Sequence, residues 1–142
     1  MTFNVRVYGI LINDQNQILV SDENIRGNFY TKFPGGGLEI GEGTRECLKR
    51  EFMEEMNLSV EVGNHFYTTD FYQQSAFNPD HQIISVYYHV STIETINLEE
   101  INLSNEQSET FRFVSLSEFS EEHVSLPIDK VVARQLTAMH KR

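Results

Sequence analysis

Apolar residues recur along the chain at two spacings, one extended and one helical. Val5, Val7, Ile10 and Ile12 mark an extended stretch from Phe3 to Ile12, and Asn13-Asp14-Gln15-Asn16 is a turn cluster. Gln17 to Val20 is therefore expected to return as the second arm of a hairpin. Ser21 to Asn28 is polar, contains Gly27 and suits an exposed loop; Phe29, Tyr30 and Phe33 then lead to Pro34 and a run of glycines where the chain must bend. Leu38 to Ile40 reads as a short strand. After the turn Gly41-Glu42-Gly43 the helical spacing takes over, with Leu48, Phe52 and Met56 as an apolar stripe at i, i+4, i+8. With Gly43 as N-cap, Glu46 falls in the first turn, where its charge suits the positive end of the helix.

Beyond Leu58 the chain becomes β-branched and aromatic, from Val60 to Gln74, and Asn78-Pro79-Asp80 marks a turn before Ile83 to Val90. These predict two long strands. Thr92 to Thr110 is polar and acidic and predicts a mobile loop. Phe111 to Val114 predicts one more strand, Ser117 a brief capped turn, and Pro127 the first turn of a C-terminal helix with Ile128, Val132 and Leu136 on one stripe. There is no internal repeat, low-complexity tract or linker, so residues 1–142 are expected to form a single domain. Early strands, a helix, more strands and a final helix suggest an α/β fold with a mixed sheet covered on both sides.

The chemistry concentrates between Gly35 and Leu58, GGGLEIGEGTRECLKREFMEEMNL. Glu51, Glu54 and Glu55 share one helical face beside the apolar stripe. Like charges at that spacing repel by a few tenths of a kcal/mol per pair, so the cluster is unfavourable unless a cation sits among them. Carboxylates with no Cys or His on that face suit Mg²⁺ or Mn²⁺ rather than Zn²⁺, and Mg²⁺ commonly completes its shell with water and phosphate oxygens. Taken alone, Glu54-Glu55 would read as a solvated charged face. In register with the glycines and Arg50-Glu51 they read as a site.

Gly36, Glu42, Arg50, Glu51, Phe52, Glu54, Glu55, Asn57 and Leu58, at their spacing, resemble the signature box of the Nudix hydrolases. Asn57 stands where the family has Gly, and Phe52 where an aliphatic residue is usual; neither change removes a charged group. Asn tolerates the left-handed conformation that ends a helix, so Asn57 can close it as Gly would. The resemblance implies an α/β/α sandwich with a mixed β-sheet, the box helix packed on the sheet through Leu48, Phe52 and Met56. It implies hydrolysis of a diphosphate bond in a nucleoside diphosphate linked to another moiety, by attack of water on phosphorus. A carbonyl of Gly35 or Gly36, with Glu51, Glu54 and Glu55, would hold one or more Mg²⁺ (or Mn²⁺) ions. Arg50, Glu51 and Glu54 form the expected catalytic set, Arg50 orienting a carboxylate rather than touching substrate. Glu42 stands one step further out, either structural or reaching a metal through water. The general base is left open among Glu51, Glu54 and a glutamate from a distant loop, Glu106 or Glu109.

Net charge of −10 opposes a broad nucleic-acid or anionic-membrane surface, because both require basic patches. No apolar run is long enough to span a bilayer and no charged leader precedes Phe3, so a cytoplasmic protein is expected. The single cysteine, Cys47, excludes an internal disulfide and reads as a small helix residue rather than a nucleophile. Phe29, Tyr30, Phe71, Tyr72 and Phe77 are candidates for stacking on a base, although aromatics in strands are more often core; His65, His81 and His89 read as surface or core residues. No pattern identifies substrate-binding residues: a nucleoside triphosphate, a nucleotide sugar and a non-nucleotide diphosphate all fit, and a homodimer is compatible. Two other classes remain open, a catalytically silent nucleotide sensor on the same fold and an isomerase of isopentenyl diphosphate type. The isomerase would want a catalytic cysteine, and Cys47 lies inside the helix.

Overall fold

A computed structural model describes residues 1–105 and 108–140. The strands are β1 (Thr2–Leu11), β2 (Gln17–Ile25), β3 (Asn28–Lys32), β4 (Gly35–Gly37), β5 (Glu61–Thr68), β6 (His81–Ser91) and β7 (Glu109–Ser115). The helices are α1 (Thr44–Met56), α2 (Leu98–Asn105) and α3 (Pro127–His140). One sheet runs β4-β1-β6-β5 and is mixed, because β1 and β6 are parallel, from Thr2 opposite His81 to Leu11 opposite Val90. The other runs β3-β2-β7 and is antiparallel.

Alternation along the strands creates two cores. Val7 and Leu19 join Leu48, Phe52 and Met56 of α1, while their neighbours Tyr8, Ile18 and Val20 join Val132, Ala133 and Leu136 of α3. The strands thus lie between α1 and α3, the α/β/α arrangement expected. Gly9 is what lets α1 approach β1, since a Cβ there would stand 2.8 Å from Phe52 Cε1.

The strand expected to run from Val60 to Gln74 ends at Thr68, and four further expectations from the sequence need correction. First, β1 and β2 are not a hairpin: they share only the bridge between Ile12 and Ile18, because β4 and β6 already occupy both edges of β1. Second, Ser21 to Asn28 is not a loop. β2 continues to Ile25 and turns through Arg26 and Gly27, both at positive φ (53° and 86°), into β3. Two consecutive left-handed residues match the right-handed strand twist, which makes this a tight hairpin.

Third, the strand after Pro34 is made of the glycines themselves, not of Leu38 to Ile40. Gly35 (φ +152°) pairs with Tyr8, and a Cβ on it would stand 2.0 Å from the Val7 carbonyl oxygen, so only glycine fits. Fourth, the acidic stretch expected as a loop carries α2. The Asn97 side chain accepts from the Glu100 amide, Glu99 and Glu100 sit in the positive first turn, and Ile101 is buried against Phe111.

Candidate active site

Helix α1 begins and ends as its sequence dictates. The Gly43 amide donates to Glu46 Oε1 at 3.1 Å, and Asn57 adopts φ 51°, ψ 39° at the C-terminus. Between these caps Cys47, Leu48, Phe52 and Met56 are buried, and the adjoining charged face lies along β4. Burial pushes the Cys47 thiol up to about 12, an inert group.

Arg50 is the centre of this face. Its guanidinium donates to both oxygens of Glu42 (3.0 and 2.6 Å), to Glu51 Oε1 (3.1 Å), to Glu54 Oε2 (3.1 Å) and to the Gly37 carbonyl (3.1 Å), with Glu39 at 3.6 Å. One cation thus orients several carboxylates. Glu42 also accepts from the Glu39 amide at 3.0 Å, and the Arg50 hydrogen bond holds its carboxyl at about 2. Every Glu42 oxygen is engaged in fixing Arg50 and the turn.

Glu51 is placed differently. Its carboxylate lies where a side chain on Gly36 would be: a Cβ there would stand 2.4 Å from Glu51 Oε1 and 2.6 Å from Oε2. Arg50 engages one oxygen, and the other has no protein partner among the described residues. Glu54 is largely exposed, its side chain 56% accessible, and among the described residues only Arg50 restrains it.

Glu55 points inward. Its Oε2 is buried with no hydrogen-bond partner among the described residues. Burial, then the charge of Glu109, with Glu51 and Glu23 adding and Lys32 opposing, push its carboxyl up to about 8. Glu109, at the start of β7, accepts from Ser21 Oγ at 2.5 Å and from Lys32 Nζ at 3.5 Å. Lys32 also pairs with Glu23 at 3.3 Å and is 5% exposed. Desolvation opposes its charge most strongly, but Tyr8, Glu109, Glu23 and Glu55 together outweigh it and raise its pKa. Of the two loop glutamates singled out from sequence, Glu109 therefore lies beside this site, and Glu106 falls outside the described residues.

Beside these groups a cavity of about 310 Å³ opens, lined by Asn4, Arg6 and Tyr8 of β1, Lys32, the segment Gln73–Asn78, His81, Tyr87 and Asp129 of α3. Its size is at the lower end of small-molecule sites. Phe77 stands edge-on to Tyr30, with ring centroids 5.0 Å apart, and Phe29 is exposed elsewhere. The Asp129 carboxylate, 2% exposed, accepts from the Tyr87 hydroxyl through Oδ1 and leaves Oδ2 without a partner among the described residues; burial raises it to about 6 against the pull of Tyr87, Lys32, Phe33 and Arg6.

Sequence reasoning missed Arg6, Lys32 and Asp129. The available signal was a charge where the pattern demands an apolar residue: Lys32 before Phe33-Pro34, and Asp129 between Ile128 and Val132 on the buried stripe.

Among the described residues, no three His, Cys, Asp or Glu side chains converge into a ready-made metal cage. The donors nevertheless fit a hard divalent cation. They are all oxygens, Glu55 keeps a buried oxygen without a partner among the described residues, and Gly36 leaves room for Glu51 against the backbone. The profile of the NUDIX domain matches residues 2–136. The chain belongs to the Nudix family. It is accordingly a hydrolase of phosphoric anhydride bonds, a pyrophosphohydrolase, and the family generally uses divalent metal ions. Solved structures share the fold. The MutT protein of Methanosarcina mazei Go1 is 16% identical over 99% of this chain and 97% of its own, with a TM-score of 0.74. The E. coli ORF135 protein is 18% identical over 99% and 91%, at 0.69. A UDP-X diphosphatase is 16% identical over 100% of this chain and 66% of its own, at 0.65.

Proposed function

We propose that this Nudix protein is a Mg²⁺-dependent pyrophosphohydrolase, Mn²⁺ substituting, which cleaves the diphosphate bond of a nucleoside diphosphate linked to another moiety. The supporting observation is the juxtaposition of the α1 carboxylates and the glycine strand with a cavity that presents Tyr8, Phe77 and the amides Asn4, Gln74 and Asn78. Aromatic faces and amide edges are what a nucleobase requires.

In this reading Glu54, Glu55 and the Gly35 or Gly36 carbonyl would hold the metal, which would supply charge neutralisation at phosphorus and a more acidic water. Glu51 takes the proton of the attacking water on the oxygen that Arg50 leaves free. Arg50 keeps Glu51 and Glu54 on one side of the helix and does not meet substrate. Glu42 fixes Arg50. Glu109 keeps Lys32 and Ser21 in place under Glu55 rather than acting as base. No helix among the described residues is long and apolar enough to cross a membrane, and with the lone buried cysteine we place the enzyme in a reducing cytoplasm.

A screen of nucleoside triphosphates, nucleotide sugars and non-nucleotide diphosphates for Mg²⁺-dependent release of phosphate or monophosphate tests the proposal. Turnover is expected on at least one nucleoside diphosphate derivative and is expected to vanish in Glu51→Gln. Binding without turnover on every compound would overturn it in favour of a silent sensor.

A further inference from the structure

We propose that Arg6 is the phosphate-gripping residue of this enzyme, receiving on its two terminal nitrogens the phosphoryl group that adjoins the moiety held in the cavity. The proposal rests on the hydrolase reading for the identity of the anion, and on geometry for the site. Arg6 lines the cavity from β1 and stands opposite Gly37 of the glycine strand, where a Cβ would lie 3.3 Å from Nη1. It therefore occupies the border between the cavity and the carboxylates, where a diphosphate joined to a group in the cavity must pass.

Its hydrogen bonding is incomplete in a directional way. Nε donates to the Tyr8 hydroxyl at 3.1 Å, and the guanidinium carbon sits 5.9 Å from the centre of the same ring. These contacts fix the plane of the fork. Neither Nη1 nor Nη2 has an acceptor among the described residues, and no carboxylate lies within ion-pair distance. The other cations near the site are spent: Arg50 is bonded to glutamates and to the Gly37 carbonyl, and Lys32 to Glu23 and Glu109. A half-buried guanidinium held by Nε, with its paired donors unused, presents the bidentate geometry that matches two phosphoryl oxygens. The acidic surroundings also demand it: a protein of net charge −10 needs a local cation to admit a diphosphate.

The test measures binding of methylenediphosphonate, which is not hydrolysed at the bridge, to the full chain in Mg²⁺ by calorimetry, beside a titration of Mn²⁺ alone. In Arg6→Gln the diphosphonate is expected to bind at least about tenfold more weakly, the size of a lost charged hydrogen bond, and Arg6→Lys to fall between Gln and wild type. Mn²⁺ affinity is expected to stay unchanged. Should the Gln variant fail to fold, Tyr8→Phe, which releases Nε and the plane of the fork, is expected to weaken diphosphonate binding without changing Mn²⁺ affinity. Diphosphonate affinity equal to wild type in these variants, an equal loss of Mn²⁺ affinity, or no binding by the wild type would each overturn the assignment. A wild type that binds diphosphonate through Arg6 yet hydrolyses nothing in the screen would sink the hydrolase reading and leave the subsite standing.

Discussion

Glu51 and Gly36 touch: the carboxylate of the helix lies in the space that any side chain at the glycine would need, within 2.4 Å of a Cβ position. The glycine is backbone for the sheet on one side and the wall of the acidic site on the other.

Gly36→Ala is therefore expected to displace Glu51. Turnover should drop at least about a hundredfold, the effect of an ångström-scale misplacement, while the fold loses only about 1–3 kcal/mol as overpacking does. Steady-state kinetics and chemical denaturation read the two effects separately. A variant of unchanged kcat would show that Glu51 tolerates movement.

Arg50→Lys keeps the charge and loses the fork. An ammonium cannot reach Glu42, Glu51, Glu54 and the Gly37 carbonyl together, so kcat is expected to fall and the fold to lose about 1–3 kcal/mol. Substrate affinity is expected to change less than kcat, because Arg50 acts through the carboxylates. A pure rise in KM would place it on substrate instead.

Glu55 makes the metal-free protein pH-sensitive. Its carboxyl titrates at about 8 in the folded chain and at 4.5 as a free group, so folding takes up a proton between those values. Stability then declines as pH rises through that window, by a few kcal/mol at most at about 1.4 kcal/mol per unit. Thermal melts in EDTA should show the decline, and Glu55→Gln should remove it and raise the alkaline melting temperature. Added Mg²⁺, which binds the ionised form, should restore alkaline stability in the wild type only.

Asp129 produces a second window at lower pH. It titrates at about 6 when folded against 3.8 as a free group, so it too destabilises as pH rises, here between those values. Because the carboxyl is buried, the effect is at most about 3 kcal/mol, from about 2.2 pH units at about 1.4 kcal/mol per unit. Asp129→Asn should flatten that limb of the stability profile. An unchanged profile would place the acid-range slope on other carboxylates.

The sequence by itself determined the local features. Spacing alone placed Glu51, Glu54 and Glu55 on one face and Leu48, Phe52 and Met56 on the next, and the resemblance, with the tolerance of Asn for the left-handed conformation, put the end of α1 at Asn57, because these features depend on residues within a turn or two of each other. It also located the start of α3 at Pro127 and the strand at Phe111. Tertiary structure decided what depends on partners distant in the chain. β1 pairs with β6 rather than with β2, a contact between residues some eighty apart that no local signal encodes. The same assembly brings Glu109 and Lys32 under Glu55, and sets Arg6 and Asp129 around one cavity. A charged residue in an apolar stripe reads locally as a misfit. Only the folded chain supplies the opposite charges and the enclosed space that give it a role, since electrostatic environment is a property of what packs around a group, not of its neighbours in sequence.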